Sequence, residues 1–281
     1  MSVAKSSEKE ILAGLVADLE MVETGNYLPG QYSSTDIAQN KGRMTMWAVK
    51  ALLADIYLWQ EEYEKCNRKC DEIIGSGQLL LVPVESRKIE VENTEEGTTD
   101  IYYAPDQSSY YSLFQQIYYQ GNSMESIFEL QFATDNLNPF YSLMSSGRGV
   151  IGVKTERVNS DIFPPLADEA YSGECFDIRS VISQSKSCLW KYIGVEPNGS
   201  ERAQEEYTNN FIIYRLAEIY LMKAEALTQM AILDSDNQEL LKEAYAAPHD
   251  VGWAAYACET GWTVSEILMG MMMPDILKKR K

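Results

Sequence analysis

The chain has one histidine, His249, and that scarcity removes the most familiar catalytic arrangements. A Ser–His–Asp or Cys–His system needs an imidazole beside its nucleophile, and a single copy leaves no such constellation beyond chance. Cysteines are few and odd in number: Cys66, Cys70, Cys175, Cys188 and Cys258. They lack the tight, even spacing of a disulfide framework. Cys66 and Cys70 lie four apart and share one side of a helix, but no second pair follows to complete a metal site, so both read as small core residues. No apolar run reaches 18 residues, so no segment is expected to span a membrane. A phosphate-cradling glycine loop and a dinucleotide fingerprint are both missing, so no cofactor is expected. Positive charge is also short. Against 42 Asp and Glu stand 24 Lys and Arg, a net charge of −18. Nucleic acid binding needs basic side chains to displace counterions, so that class of partner is excluded, as is adsorption to an anionic membrane.

What the chain has in quantity is tyrosine, 18 copies in 281 residues. A tyrosine offers a flat apolar face with a polar tip, useful both in cores and at recognition surfaces. Hydrophobic residues make up 45% of the chain, enough to build a core at this length without staples. Acid pairs such as Asp168/Glu169 and Glu95/Glu96 read as solvated surface. Glycosidase chemistry needs two carboxyls at a fixed separation, which their spacing in sequence does not supply.

Periodicity divides the chain. Residues 8–23 place Ile11, Leu12, Leu15, Val16, Leu19 and Val22 on one side of an expected helix. A loop rich in Gly, Ser, Asn and Pro follows ("TGNYLPGQYSSTDIAQNKG"). Residues 43–60 predict a long helix, and "EYEKCNRKCDEIIGSG" a second one whose end is marked by Gly75 and Gly77, which can take positive φ at a helix terminus. So short a link makes the two antiparallel. Leu53, Ala54, Tyr57 and Cys66 stand where a tetratricopeptide-type hairpin places Leu, a small residue, Tyr and Ala. Residues 79–120 mix polar loop with tyrosine pairs. "ESIFELQF" (125–132) alternates, which predicts a strand with Phe128, Leu130 and Phe132 on its apolar face. Residues 133–208 show no sustained period, apart from a second short strand expected at "LWKYIG" (189–194). Residues 211–232 return to a long helix, and a further helix is expected to close at Pro248. The Met-rich stretch 248–281 carries no assignment, and Lys278–Lys281 reads as a solvated basic tail.

Within "NNFIIYRLAEIYLMKAEALTQM" (209–230) the small residues Ala217, Ala224 and Ala226 imply close helix packing. Arg215 and Glu218 have the i,i+3 spacing of an ion pair at a helix start.

The order of these pieces resembles the SusD/RagB family, the surface glycan-binding lipoproteins of Bacteroidetes. "KALLADIYLWQEEYEKCNRKCDEIIGSGQLLL" is similar to that family's helical hairpin. "NSMESIFELQF" is similar to the acid-containing strand after it, and "DIRSV" (177–181) with "LWKYIG" to its Asp-x-Arg segment and Lys-containing strand. "NNFIIYRLAEIYLMKAEAL" matches its most recognisable helix through Arg215, Ala217, Glu218, Leu221, Ala224, Glu225 and Ala226. The resemblance runs over about residues 8–232. The family's signal peptide and lipidated Cys, much of its N-terminal region, and its C-terminal Arg-Ala-Gly and Glu-Arg/Glu-Gly motifs have no counterpart in the sequence.

The resemblance implies a mainly α, SusD-like fold: tetratricopeptide-like hairpins over about 8–78 and 209–247, with a loop-rich insert over about 79–208 carrying short strands, all one domain. It also implies capture of an oligosaccharide at the outer membrane, without bond cleavage, and delivery to a TonB-dependent SusC-like transporter. Sugar faces stack on aromatic rings while their hydroxyls bond to polar side chains. "IYYAPDQSSYYSLFQQIYYQGN" (101–122) supplies both: Tyr102, Tyr103, Tyr110, Tyr111, Tyr118 and Tyr119, with Asp106, Gln107, Gln115 and Asn122. The segment from Asn136 to Arg148, with Phe140 and Tyr141, is the next candidate, and Trp253 and Trp262 follow. Two other readings stay open: a helical scaffold that binds a protein, and a shortened remnant of a longer family member.

Overall fold

The computed structural model describes residues 6–83, 86–93, 98–105, 115–144, 182–183, 188–189, 192, 202–234 and 237–249. Helix α1 (Glu8–Thr24) starts at a capping box: Ser7 Oγ accepts from the Glu10 N–H and the Glu10 carboxylate accepts from the Ser7 N–H. A five-residue helix α2 (Ile37–Lys41), capped by Asp36, interrupts the expected loop. Helices α3 (Met46–Trp59) and α4 (Tyr63–Ile74) form the hairpin. Their three-residue link turns through Glu61 at φ 63°. Of the two glycines expected to stop α4, only Gly77 takes positive φ (64°), while Gly75 stays right-handed at −68°.

After a four-residue helix α5 (Tyr141–Met144) comes the long α6 (Leu216–Leu233), and the core sits where α3, α4 and α6 meet. Leu53, Ala54, Tyr57 and Cys66 are all buried there, as the tetratricopeptide-type spacing predicts. Each large side chain so buried contributes about 1.5–3 kcal/mol. Helix α6 is covered on two sides, by α4 and by α7 (Gln238–His249), so it needs small residues on more than one face. Ala217, Ala224 and Ala226 are all buried, and the Cys66 Sγ comes within 4.0 Å of the Met222 carbonyl. A larger residue at 66 would push α4 off the α6 backbone. Lys223 ties the three helices together, meeting Asp71 on α4 at 2.5 Å and Glu243 on α7 at 2.9 Å. Helix α7 runs one residue past Pro248.

Helix α1 docks on the hairpin through charge as well as apolar contact. Glu23 accepts from Lys50 at 3.0 Å and Lys69 at 2.7 Å, and Glu20 accepts from the Tyr57 hydroxyl. Val16, Leu19 and Val22 reach the core. Ile11 and Leu15, expected on the same buried side, are half-exposed.

The sheet elements are small. Strands β1 (Ser86–Asn93) and β2 (Thr98–Pro105) pair as an antiparallel hairpin inside a stretch that periodicity left as loop. Strand β3 (Ser126–Leu130) pairs antiparallel with β6 (Phe211–Arg215), and β4 (Ile182–Ser183) with β5 (Cys188–Leu189). Two sequence expectations are corrected. The expected helix 211–232 is a strand for its first five residues, because "FIIYR" pairs with β3 and α6 starts only at Leu216. Strand β3 also buries residues of both faces: Ser126 is fully buried and Phe128 packs partly buried on the core. Glu125, Ile127 and Glu129 are each at most 2% exposed, whereas Leu130 is 39% exposed. Two acids are buried because each has partners waiting for it. No helix among the described residues is long and apolar enough to cross a membrane.

Candidate functional site

Residues Gln115–Gln120 form a single π-helical turn, a wide and uncommon helix that is frequent at functional sites. It carries Tyr118 and Tyr119 immediately ahead of Gly121 (φ 70°) and Asn122 (φ 53°), two left-handed residues in succession. The first must be glycine: a Cβ on Gly121 would stand 2.7 Å from the Asn210 Nδ2.

A buried carboxylate fixes this turn. Glu129, 1% exposed, accepts from the Asn122 N–H at 2.9 Å, the Asn210 Nδ2 at 2.8 Å and the Ser126 hydroxyl. Asn122 and Gln131 exchange a reciprocal pair of amide hydrogen bonds at 3.0 and 2.9 Å. Beside them the Lys41 ammonium donates to the Ser126 carbonyl at 2.5 Å. Burial holds the Lys41 pKa below its ordinary value, against the pull of the Glu129 carboxylate. These groups satisfy one another, as buried polar groups must, and so lock β3, β6 and the end of the π-turn together.

Each tyrosine of the turn faces a guanidinium. Arg202, 3% exposed, lies with its guanidinium carbon 3.7 Å from the Tyr119 ring centroid. Its Nη2 donates to the Tyr119 carbonyl at 2.6 Å, and its Nη1 to the Thr208 hydroxyl at 3.4 Å. Arg215 lies 5.7 Å from the Tyr118 ring centroid and pairs at 2.9 Å with Glu125. Arg215 closes β6, so the i,i+3 pairing at a helix start gives way to this cross-strand pair. Burial raises the Glu125 pKa above its ordinary value, opposed by the Arg215 charge.

An aromatic group stands on the same segment of chain. Tyr207 and Tyr141 meet edge to face at 4.9 Å, Phe140 and Phe211 pack with tilted rings at 4.8 Å, and Tyr192 stacks on Phe211 at 6.4 Å. Asn138 pins this group. Its N–H donates to the Tyr207 carbonyl and its Nδ2 to the Asn209 carbonyl, both within 2.9 Å. Asn209, 2% exposed, donates to the Tyr192 carbonyl at 2.8 Å, while its buried Oδ1 has no hydrogen-bond partner among the described residues.

The expected site residues therefore separate. Gln115 and Tyr118 share the π-turn, and Asn122 follows just after its end, committed to Gln131 and Glu129. Tyr102 and Tyr103 are in β2, opposite Ile89 and Lys88. Asp106, Gln107, Tyr110 and Tyr111 lie outside the described residues, as do Trp253 and Trp262. Phe140 and Tyr141, the second candidate segment, join the aromatic group. Arg202, Glu129, Tyr192, Tyr207 and Asn209 were not singled out from sequence. The asparagine-rich "YTNNF" beside the expected helix was the only local signal. No cluster of three or more His, Cys, Asp or Glu placed to hold a metal occurs among the described residues.

A model of the SusD family matches residues 183–244, which hold Tyr192, Arg202, Asn209, β6 and α6. The fold agrees along most of the chain. A SusD-like protein from Bacteroides fragilis superposes with a TM-score of 0.52 at 19% identity, over 88% of this chain and 53% of its own. Over residues 183–244 the sequence is similar to the SusD family, and over most of the chain the fold is SusD-like. Surface glycan-binding protein A from Bacteroides thetaiotaomicron, in complex with laminarihexaose, gives a TM-score of 0.51 at 19% identity, over 88% of this chain and 60% of that one. A SusD-like carbohydrate binding protein from Bacteroides fragilis gives 0.52 at 14% identity, over 89% and 52%. These likenesses show the SusD-like fold, and the chain spans between half and two thirds of each neighbour's length. A search among curated proteins returned no match.

Proposed function

We propose that this chain, SusD-like in fold, binds an oligosaccharide at the cell surface, without cleaving it, and passes it to a TonB-dependent SusC-like transporter in the outer membrane. The observation that carries the reading is the rigid tyrosine pair. Tyr118 and Tyr119 sit half-buried on a turn fixed by Glu129, with a guanidinium beside each ring. Rings held this way can take the C–H face of a sugar with little further ordering cost. The half-buried rings of Phe140, Tyr141, Tyr192 and Phe211, packed around the buried Tyr207, supply further aromatic surface. A net charge of −18 favours uncharged glycans over uronic or sulfated ones. The laminarihexaose complex of the Bacteroides thetaiotaomicron protein supports the same class of ligand.

The test is ligand-dependent stabilisation. A sugar that binds only the folded chain at 100 times its Kd adds about 2.7 kcal/mol to unfolding. Denaturation curves unchanged by every neutral oligosaccharide tried count against the proposal. A second reading, a helical scaffold for a protein partner, draws on α1 and the end of α3, where Ile11, Leu15 and Trp59 are 53%, 45% and 62% exposed. That reading predicts no shift with sugar.

A further inference from the structure

We propose that Arg202 is a positioning residue for Tyr119, and that Tyr119 is the ring on which a sugar stacks. This rests on the glycan-binding reading above. Arg202 is almost fully buried, 83 residues from Tyr119 in sequence, and it meets that tyrosine twice. The guanidinium plane covers the ring at 3.7 Å, and the same group caps the tyrosine's own carbonyl at 2.6 Å. The last carbonyls of any helical turn lack partners within it, and a π-turn of six residues has few internal bonds to hold its shape. One side chain thus sets both the backbone and the plane of Tyr119. From the other side, Glu129 and Asn210 fix the residues that follow, Gly121 and Asn122. The turn is clamped at both ends, and the ring between the clamps is half-buried, with part of its surface open to solvent. Arg202 does this as no lysine can. A planar fork stacks and donates at the same time, whereas an ammonium is a point charge without a face.

The same residue also links two parts of the site. Its second donor reaches Thr208, next to Tyr207 and Asn209, so the segment that carries the aromatic group is tied to the π-turn through one guanidinium. Losing it frees both.

The experiment is isothermal titration of the full chain with laminarihexaose, maltohexaose, cellohexaose and xylohexaose. The tightest of the four is then carried through Arg202→Lys, Tyr119→Leu and the double variant, with affinities corrected for the folded fraction. Arg202→Lys is expected to weaken binding about five- to tenfold, the size of one lost guanidinium–ring contact. Tyr119→Leu is expected to weaken it further, and the double variant to bind no worse than Tyr119→Leu, because Arg202 acts through that ring. A merely structural arginine would lower stability and leave the affinity of folded protein unchanged. Should Arg202→Lys not fold, Tyr119→Leu decides alone, and wild-type affinity in that variant overturns the inference. If the wild-type chain binds none of the four sugars, the glycan-binding reading itself fails, and the Arg202 assignment with it. If it binds and Arg202→Lys binds equally well, only the Arg202 assignment fails.

Discussion

Replacing Arg215 by methionine removes the charge opposite Glu125 while keeping much of the volume. The Glu125 side chain is 3% exposed, and its other hydrogen bond among the described residues comes from the Val82 N–H at a long 3.4 Å. Left alone, it becomes an uncompensated buried carboxylate, and breaking such a pair from one side costs about 3–5 kcal/mol. The pH dependence follows with a definite sign. Burial already holds the Glu125 pKa above its ordinary 4.5, and the Arg215 charge is the largest opposing influence. Without Arg215 the value rises further. An acid whose pKa is higher in the folded than in the unfolded chain binds more protons when folded. Stability therefore falls as pH rises from about 4.5 through the folded value. Arg215→Met should lose more stability at pH 8 than at pH 5, measured by urea denaturation with far-UV circular dichroism. Glu125→Gln combined with Arg215→Met should recover part of the loss, since no charge is then stranded. A loss below about 1 kcal/mol, or one equal at both pH values, would refute the claim that Glu125 is a buried charge held by Arg215.

Gly121→Ala forces a side chain into φ 70° and against Asn210, and it should cost about 1–3 kcal/mol in chemical denaturation. A neutral result would mean the π-turn can relax. Ala226→Leu adds three carbons where α6 is fully buried, and overpacking there should cost about 1–3 kcal/mol, read from the shift in denaturation midpoint. Burial works to raise the Glu23 pKa, but hydrogen bonds from Lys69 and Lys50 bring it below its ordinary value. Its contribution is present above pH 4.5 and is lost as pH falls through the lower folded value, so Glu23→Gln should flatten the acid limb of a stability–pH curve. Its cost at neutral pH should be about 1 kcal/mol, and an unchanged acid limb would count against the α1 docking described above.

Sequence reading succeeded where the physics is local. The α3–α4 hairpin was legible because Leu53, Ala54, Tyr57 and Cys66 repeat at helical spacing, and all four are buried. It failed where a distant partner decides. "FIIYR" is apolar enough to extend the helix after it, and only pairing with β3 makes it a strand. At β3 alternation counts Phe128 and Leu130 as core and Glu125 and Glu129 as surface, yet only Phe128 reaches the core, Leu130 is exposed and both acids are buried. Arg215, Asn210 and Ser126 supply the hydrogen bonds that reverse this. Of the site, the tyrosine-rich stretch stood out by composition, and Tyr118 with Tyr119 proved to share one turn. The residue that clamps them did not stand out, because a lone arginine 83 positions away carries no periodic mark.

The most direct test is a glycan microarray with the purified chain, run beside a Tyr118→Ala, Tyr119→Ala double variant and a Tyr110→Ala, Tyr111→Ala double variant. The account predicts binding to a class of neutral glycans by the wild type and its loss in the Tyr118/Tyr119 variant. Binding that survives there and disappears in the Tyr110/Tyr111 variant moves the site along the same stretch. No glycan bound by a chain that unfolds cooperatively contradicts the account.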